Sequence, residues 1–412
     1  MNKLEIENLI SESEKALSAQ FAYLEKNAYT NQCKVMEAFQ INKIALRHFA
    51  ASSGYGYGDE GRDTLNALFA DIFGAEAGLV SPNILSGTHA LTVGLFGLLR
   101  TGDTLFSVSG EPYDTLREVI GGKDIGSLAD YGIRFRKCEL KDGDFDFDAI
   151  RNGLSDPTVK VVFIQRSRGY EWRDALSEEK IRSVCVFVRS CGFSGCIFVD
   201  NCYGEFVETT EPTQNGADIC VGSLIKNAGG GVAPTGGYIV GKKEYVDKIA
   251  GRLTAPSIGA EVGSYAYGYQ YFYEGVFLAP HVVCQALKGG LLIGACLERL
   301  GYKTSPSVQA APYDITRAIR FNTKSELVGF IQAVQEASPI DSFVSLEPWD
   351  MPGYQEQVIM AAGTFVQGAS IELSADAPIK EPYIAYFQGG LTYEHCRYAL
   401  SKILCRICKN AE

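Results

Sequence analysis

Apolar side chains recur every three to four positions through residues 1–48, at Leu4, Leu9, Ile10, Leu17, Phe21 and Leu24, then at Val35, Phe39, Ile41 and Leu46. That period predicts helix, as an N-terminal arm or a first helix pair. A Gly-rich loop, SSGYGYGDEGRD, follows, and Asp63 is expected to open a helix over TLNALFADIFG that closes at Gly74. From there short β-rich runs alternate with helices. Strands are predicted at 77–81, 103–109, 132–138, 159–165, 196–200, 219–223 and 236–241, several of them apolar throughout, as strands covered on both faces are. Helical segments such as THALTVGLFGLLR and SEEKIRSVCVFVRS lie between them, which predicts a doubly wound α/β domain with a mostly parallel sheet over residues 49–285. The rhythm then changes to helix ALKGGLLIGACLERLG, strand-like AIRFN (318–322), helix KSELVGFIQAVQEAS, alternating VIMAAGTFV and SIELS, and a last helix HCRYALSKILCRICK. Residues 286–412 are therefore expected to form a smaller C-terminal α+β domain.

The 412 residues carry 38 Lys plus Arg against 49 Asp plus Glu, a net charge of −11, and 46% of them are apolar. Such a chain can bury a large core, which excludes a disordered tail or a collagen-like fibre. Its charge repels polyphosphate and no basic run is interleaved with aromatics, so no nucleic-acid partner is expected. No apolar stretch reads as long enough for a membrane span, and MNKLEIENLISESEK is amphipathic rather than an export signal, so no membrane partner is expected. Twelve scattered cysteines, many inside apolar runs, point to a reducing cytoplasm. Cys405 and Cys408 have CxxC spacing, but no second pair or His stands at zinc-ligand distance, and no metal site is expected.

Parallel sheets bind ligands at the carboxyl ends of their strands, so the polar residues just after each predicted strand carry the chemistry. Ser86-Gly87-Thr88 opens a helix, where free backbone N–H groups can hold an anion, although Ser-Gly-Thr is also an ordinary N-cap. Asp200 ends the apolar run CIFV, where a carboxylate is costly unless something cationic meets it or it caps a turn. Ser223 ends ICVGS one turn before Lys226, which precedes three glycines and is a Schiff-base candidate. Tyr113, after another strand, offers a flat ring that could cover a bound aromatic. An amine for an aldehyde, an acid for a pyridine nitrogen, helix-end donors for a phosphate and an aromatic platform together fit pyridoxal 5'-phosphate.

Beyond that constellation, GYGYGDEGRDTL (54–65), LSGTHAL (85–91), GEPYDTL (110–116), QRSRGYEWR (165–173), VDNCYGEF (199–206), SLIKNAGGGVAPTGGYIVG (223–241) and QGGLTYEH (388–395) carry a wider likeness. The chain resembles a fold-type-I, aspartate aminotransferase-like pyridoxal-phosphate enzyme over nearly its whole length. Within that group it resembles the methionine γ-lyase-like, aluminium-resistance family, relatives of the cystathionine lyases. The resemblance implies that Lys226 holds the cofactor's aldehyde and moves the α-proton, that Asp200 binds the pyridine nitrogen, and that Tyr203 hydrogen-bonds the ring's phenolic oxygen. It further implies that Ser86, Gly87, Thr88 and Ser223 hold the phosphate and that Tyr113 stacks on the ring and protonates a leaving group.

In the cystathionine-type lyases a Tyr and an Arg of one subunit reach the phosphate bound by its neighbour. The matching loop here offers Tyr55, Tyr57 and Arg62, with Tyr57 and Arg62 preferred for that role and Tyr55 placed beside the substrate. A homo-oligomer with shared sites, a dimer or a tetramer, follows from this; the alternative is that Arg62 pairs only with Asp59 or Asp63. The family's substrate-carboxylate arginine has no counterpart, because Tyr386 falls near its position. Arg166, Arg168 and Arg173 then become candidates, with Arg168 first and Arg173 beside it, a role for Arg168 in holding the cofactor or a neighbouring subunit remaining open. The expected activity is a carbon–sulfur lyase acting on a small amino acid by β- or γ-elimination to a 2-oxo acid and ammonia. An aminotransferase or aldolase of the same fold, or a non-catalytic cofactor-binding protein, are the alternatives.

Overall fold

The apolar runs pair into one sheet of seven strands: β1 (Ala77–Ser81), β2 (Thr104–Ser107), β3 (Arg134–Lys137), β4 (Val159–Gln165), β5 (Cys196–Asp200), β6 (Ile219–Ser223) and β7 (Gly237–Gly241). Their order in the computed structural model, which describes residues 1–351 and 354–410, is β1-β7-β6-β5-β4-β2-β3. Strands β2 to β6 run parallel, and β7 is antiparallel to both its neighbours. The helices are α1 (Lys3–Ala16), α2 (Ser18–Ile41), α3 (Glu60–Phe73), α4 (Gly87–Leu98), α5 (Asp114–Gly121), α6 (Phe147–Leu154), α7 (Glu178–Ser190), α8 (Lys243–Leu253), α9 (Gln270–Arg299), α10 (Lys324–Ala337) and α11 (Tyr393–Asn410). The central strands are buried on both faces because their side chains alternate between two cores. Phe198 of β5 joins Leu91, Leu95 and Ile249 of α4 and α8, while Ile197 and Val199 join Val184 and Val188 of α7. Each such side chain contributes about 1.5–3 kcal/mol on leaving water.

Four expectations are corrected. The third helix starts at Glu60 and not at Asp63, because the Asp59 carboxylate accepts from the Arg62 N–H at 3.0 Å and caps it; Asp63 lies inside the first turn. SIELS is not a strand: the Glu372 carboxylate accepts from the N–H groups of Phe365 and Val366, both at 2.9 Å, and bends this stretch back on itself. The strand there is β11 (Ser374–Pro378), in a second, five-stranded antiparallel sheet with β8 (Lys303–Ser305), β9 (Thr316–Arg320), β10 (Val358–Ala361) and β12 (Ile384–Gln388), in the order β10-β11-β12-β9-β8. The boundary expected near residue 285 falls inside α9, a 30-residue helix that continues through Pro280 and packs in one core with α1, α2, α10, α11 and the second sheet. Lastly, α9 is long and apolar enough to cross a membrane, which segment-by-segment reading missed. Within the fold it is a core helix, with 72% of its most apolar window buried.

Candidate active site

The carboxyl ends of β4, β5 and β6 are neighbours, so residues distant in sequence meet there: Gln165 pairs with Asp200, and Asp200 with Val221. Above them opens a cavity of about 410 Å3, lined by Tyr113, Asp200, Tyr203 and Lys226 on one side and by Asp376 and Tyr386 of the second sheet on the other. Two turns place the lysine. After β6, the Asn227 amide donates to the carbonyl oxygens of Tyr203 at 2.9 Å and Glu205 at 3.1 Å, tying the lysine's loop to the turn after β5. The run of glycines lets this loop close up, since a Cβ on Gly229 would lie 1.6 Å from the Leu224 carbonyl oxygen. After β5, Tyr203 and Phe206 adopt φ of 74° and 62°, a left-handed backbone costing about 1–3 kcal/mol each for such residues.

That turn is held from beneath by Arg166, whose guanidinium donates to Asn201 Oδ1 at 2.8 Å and to the Gly204 carbonyl at 3.1 Å, and which pairs with Glu178 and Glu208, both at 2.8 Å. Arg166 is thus a buried strut with its donors spent. With the backbone so fixed, the Tyr203 ring lies 4.1 Å from Lys226 Nζ, and the Tyr203 hydroxyl meets Ser370 Oγ at 3.1 Å.

Asp200 is buried and Lys226 half-buried, and Lys226 is the charge that acts most on Asp200. Burial raises the Asp200 carboxyl above its usual range, while Lys226 and the Cys202 N–H, at 3.1 Å, pull it back. Burial also opposes charge on Lys226, but the acidic groups of Cys202, Tyr203, Asp200 and Tyr113 around it outweigh that and hold the ammonium well above its usual value.

Beside this pair lies a cradle without side-chain bulk. A Cβ placed on Gly87 would stand 3.2 Å from Cys202 Sγ, 3.6 Å from Ser223 Cβ and 4.0 Å from Lys226 Nζ, so all three converge on the start of α4. Ser223 Oγ is fully buried there with no hydrogen-bond partner among the described residues, a costly state that an anion's oxygen would relieve. Ser86 caps α4 by accepting from the His89 N–H at 3.0 Å, so its hydroxyl orders the helix end. The Thr88 hydroxyl is 2.8 Å from the Tyr113 hydroxyl. Burial first, and the nearby Asp200 charge second, push the Tyr113 phenol well above its usual range. An amine facing an acid, an unmet hydroxyl and a bare helix start fit a cofactor with an aldehyde, a pyridine nitrogen and a phosphate.

Of the arginines, Arg168 lines the cavity and is fully buried; Nη1 donates to the Ser305 carbonyl at 2.7 Å and its Oγ at 2.9 Å, while Nε and Nη2 have no hydrogen-bond partner among the described residues and Nη2 stands 4.0 Å from Asp174 Oδ1. Arg173 spends its donors on Glu171 at 2.7 Å, the Ser167 carbonyl at 2.6 Å and the Asp174 carbonyl at 3.1 Å, and is turned away from the cavity. Arg62 is likewise folded into its own loop, on Asp63 at 2.9 Å and the carbonyls of Gly56 at 2.7 Å and Gly263 at 3.2 Å, so within one chain the local pairing prevails. Tyr55 and Tyr57 are 73% and 68% exposed, away from this chain's own cavity.

Sequence reasoning missed Gln165, whose Oε1 accepts from the Tyr113 N–H at 2.8 Å and sets that ring's position. The signal was available: like Asp200, it is a polar residue ending an apolar strand. It also missed Asp376 and Tyr170, which share a short hydrogen bond; enclosure raises the Asp376 carboxyl to about 6, with the Tyr170 hydroxyl working the other way.

The chain is 48% identical over 381 residues to protein YnbB of Bacillus subtilis, covering 92% of this chain and 90% of that one. It superposes with a TM-score of 0.94 and 48% identity on a carbon-sulfur lyase involved in aluminum resistance from Clostridium novyi, covering 98% of this chain and 96% of the other. It is also 28% identical over 204 residues to the L-methionine gamma-lyase of Pseudomonas putida, 48% of this chain and 45% of that one. A family model for methionine gamma-lyase matches residues 6–408, so the chain belongs to that family and its cofactor is pyridoxal 5'-phosphate.

Proposed function

We propose that this protein breaks a carbon–sulfur bond, or the bond to a related leaving group, in a small amino acid by β- or γ-elimination, releasing a 2-oxo acid and ammonia. The observation that carries this reading is that Lys226 and Asp200 line one cavity at the strand ends of a chain from this family. Bound there, pyridoxal phosphate supplies an electron sink for the substrate's α-carbon. Lys226 Nζ removes the α-proton and, for γ-elimination, a β-proton as well. Asp200 keeps the pyridine nitrogen protonated, since opposite charges favour each other's ionised forms. The Ser223 hydroxyl and the N–H groups at Gly87 and Thr88 hold the phosphate, with Ser86 ordering the helix start.

Tyr113 covers the ring, and its hydroxyl, oriented by Thr88, passes a proton to the departing group. The Tyr203 ring flanks Lys226 and keeps its amine aimed. The two unmet donors of Arg168 form a fork for the substrate's α-carboxylate, the part that Tyr386 cannot play; Arg173 shapes the loop that carries Arg168. A second copy of the chain completes each site, with Arg62 setting the loop's shape and exposed Tyr57 and Tyr55 reaching across, and the oligomer works in the cytoplasm, where its cysteines stay free.

The test is a screen of sulfur- and halogen-bearing amino acids for keto acid and thiol or halide release. We expect turnover with at least one, lost in Lys226→Ala. Keto acid formed only with a second, amino-accepting keto acid present would assign transamination instead.

A further inference from the structure

The second sheet presents one face to the cavity at alternate positions: Asp376 and Pro378 of β11, Tyr386 and Gln388 of β12, and Thr316 of β9. Asp376 is the cross-strand partner of Tyr386, so carboxylate and phenol stand side by side. Tyr170 leans over both, its ring 5.0 Å from that of Tyr386 and 5.9 Å from that of Tyr354. The result is a cup of three phenol rings around one carboxylate.

Among the described residues the carboxylate forms no ion pair, and the cation that acts on it is Lys226, the amine that the cofactor's aldehyde takes up. Glu111 at the mouth pairs with Lys137 at 2.6 Å, Glu171 with Arg173 at 2.7 Å, and Asp114 with Arg117. Asp376 instead meets a phenol, Tyr170, and an amide, Gln388 Nε2, at 3.5 Å. An enclosed carboxylate without an ion-pair partner is costly, and a carboxylate ringed by aromatic faces is the environment that draws an ammonium out of water. In the same cavity the fully buried Arg168 has two guanidinium nitrogens without a hydrogen bond among the described residues, with Asp174 no nearer than 4.0 Å, a waiting place for a carboxylate. One cavity therefore offers a free anion site and a free cation site to a single molecule.

We propose that Asp376, with the phenol rings of Tyr170, Tyr354 and Tyr386, binds a protonated amine on the substrate's side chain. The substrates this selects are amino acids whose leaving group carries its own ammonium, in preference to plain alkyl thioethers. This rests on the reading above that the cavity takes an amino acid, but not on elimination taking place.

The experiment uses the full-length holoenzyme and ligands that lack a leaving group. L-Ornithine is compared with L-norleucine, and L-lysine with L-2-aminoheptanoate, each pair alike in length and differing in a terminal ammonium against a methyl group. Binding is read from the change in the cofactor's visible absorption band and from calorimetry. We expect at least one amine to bind about tenfold or more tighter than its uncharged partner. In Asp376→Asn that preference should shrink to about twofold while norleucine affinity, which also reports intact folding, stays unchanged. Equal affinities within both pairs, or a preference that survives Asp376→Asn, overturns the proposal. If the preference is found and no substrate yields keto acid, only the lyase reading falls; if uncharged thioethers turn over without any amine preference, only this one does.

Discussion

On one wall of the cavity Lys226 and Asp200, with Ser223 buried beside them, stand at the ends of neighbouring parallel strands, each one announced by the apolar run before it. On the other, Asp376 and Tyr386 project from adjacent antiparallel strands and mean nothing until the register between those strands is known. The first wall is specified locally, by strand, polar end and tight turn. The second depends on long-range pairing, in which a slip of one residue would turn Asp376 away from the cavity. In the function proposed above, the groups that hold the cofactor lie on the local wall and those that select the substrate's side chain lie on the long-range wall.

The sharpest way to break this division is to remove Lys226 from the first wall and, separately, Arg168, which follows β4 but reaches Ser305 of β8 at the edge of the second sheet. Lys226→Ala should lower keto acid release by about 10⁴-fold, the upper range for a general acid–base group, with little change in substrate binding. Arg168→Leu should act the other way round. Losing two charge-assisted hydrogen bonds raises KM by about 10–100-fold, and kcat at saturating substrate changes far less. If Arg168→Leu lowers kcat and spares KM, Arg168 belongs with the cofactor wall and the division fails.

Ser223→Ala is the next smaller effect. Because Ser223 Oγ has no partner within the described residues, its loss should leave the apoprotein's melting temperature unchanged or raise it, and weaken pyridoxal phosphate binding by about 0.5–1.5 kcal/mol, roughly tenfold at most. An apoprotein destabilised as much as the holoprotein would mean that the hydroxyl serves the fold.

How much was legible follows the same line. Strands β4, β5 and β6 were readable to the residue, because seven- and five-residue apolar runs buried on both faces leave no other assignment. Their polar ends led to Asp200 and Lys226, which line one cavity, and to Ser223, buried beside them near the start of α4. By contrast Ser-Ala-Asp-Ala-Pro of β11 has poor strand propensity and a terminal proline, so the neighbouring SIELS drew the assignment and Asp376 went unseen. The arginines of the 166–173 loop could not be ranked from sequence either, since adjacent guanidiniums differ only in which carbonyls and carboxylates the fold brings to them. Arg166 became a strut, Arg173 a loop brace, and Arg168 alone of the three kept free donors at the cavity.

The last test reaches beneath the local wall and leaves the chemistry untouched, where Glu205 is buried behind the turn that carries Tyr203. Burial raises its carboxyl to about 8 from an ordinary 4.5, despite the hydrogen bond from the Tyr238 hydroxyl at 2.8 Å. Between those two values the folded chain keeps a proton that the unfolded chain gives up. Stability from this group is therefore whole below about pH 4.5, declines as pH rises toward 8, and is lost above it, a swing on the order of a few kcal/mol. Glu205→Gln cannot ionise and should remove that share of the decline: relative to wild type, its melting temperature rises as pH goes from 5.5 to 8. Parallel melting curves for the two proteins over that range would mean that Glu205 is already ionised in the fold, and that the wall above it draws no support from a neutral acid.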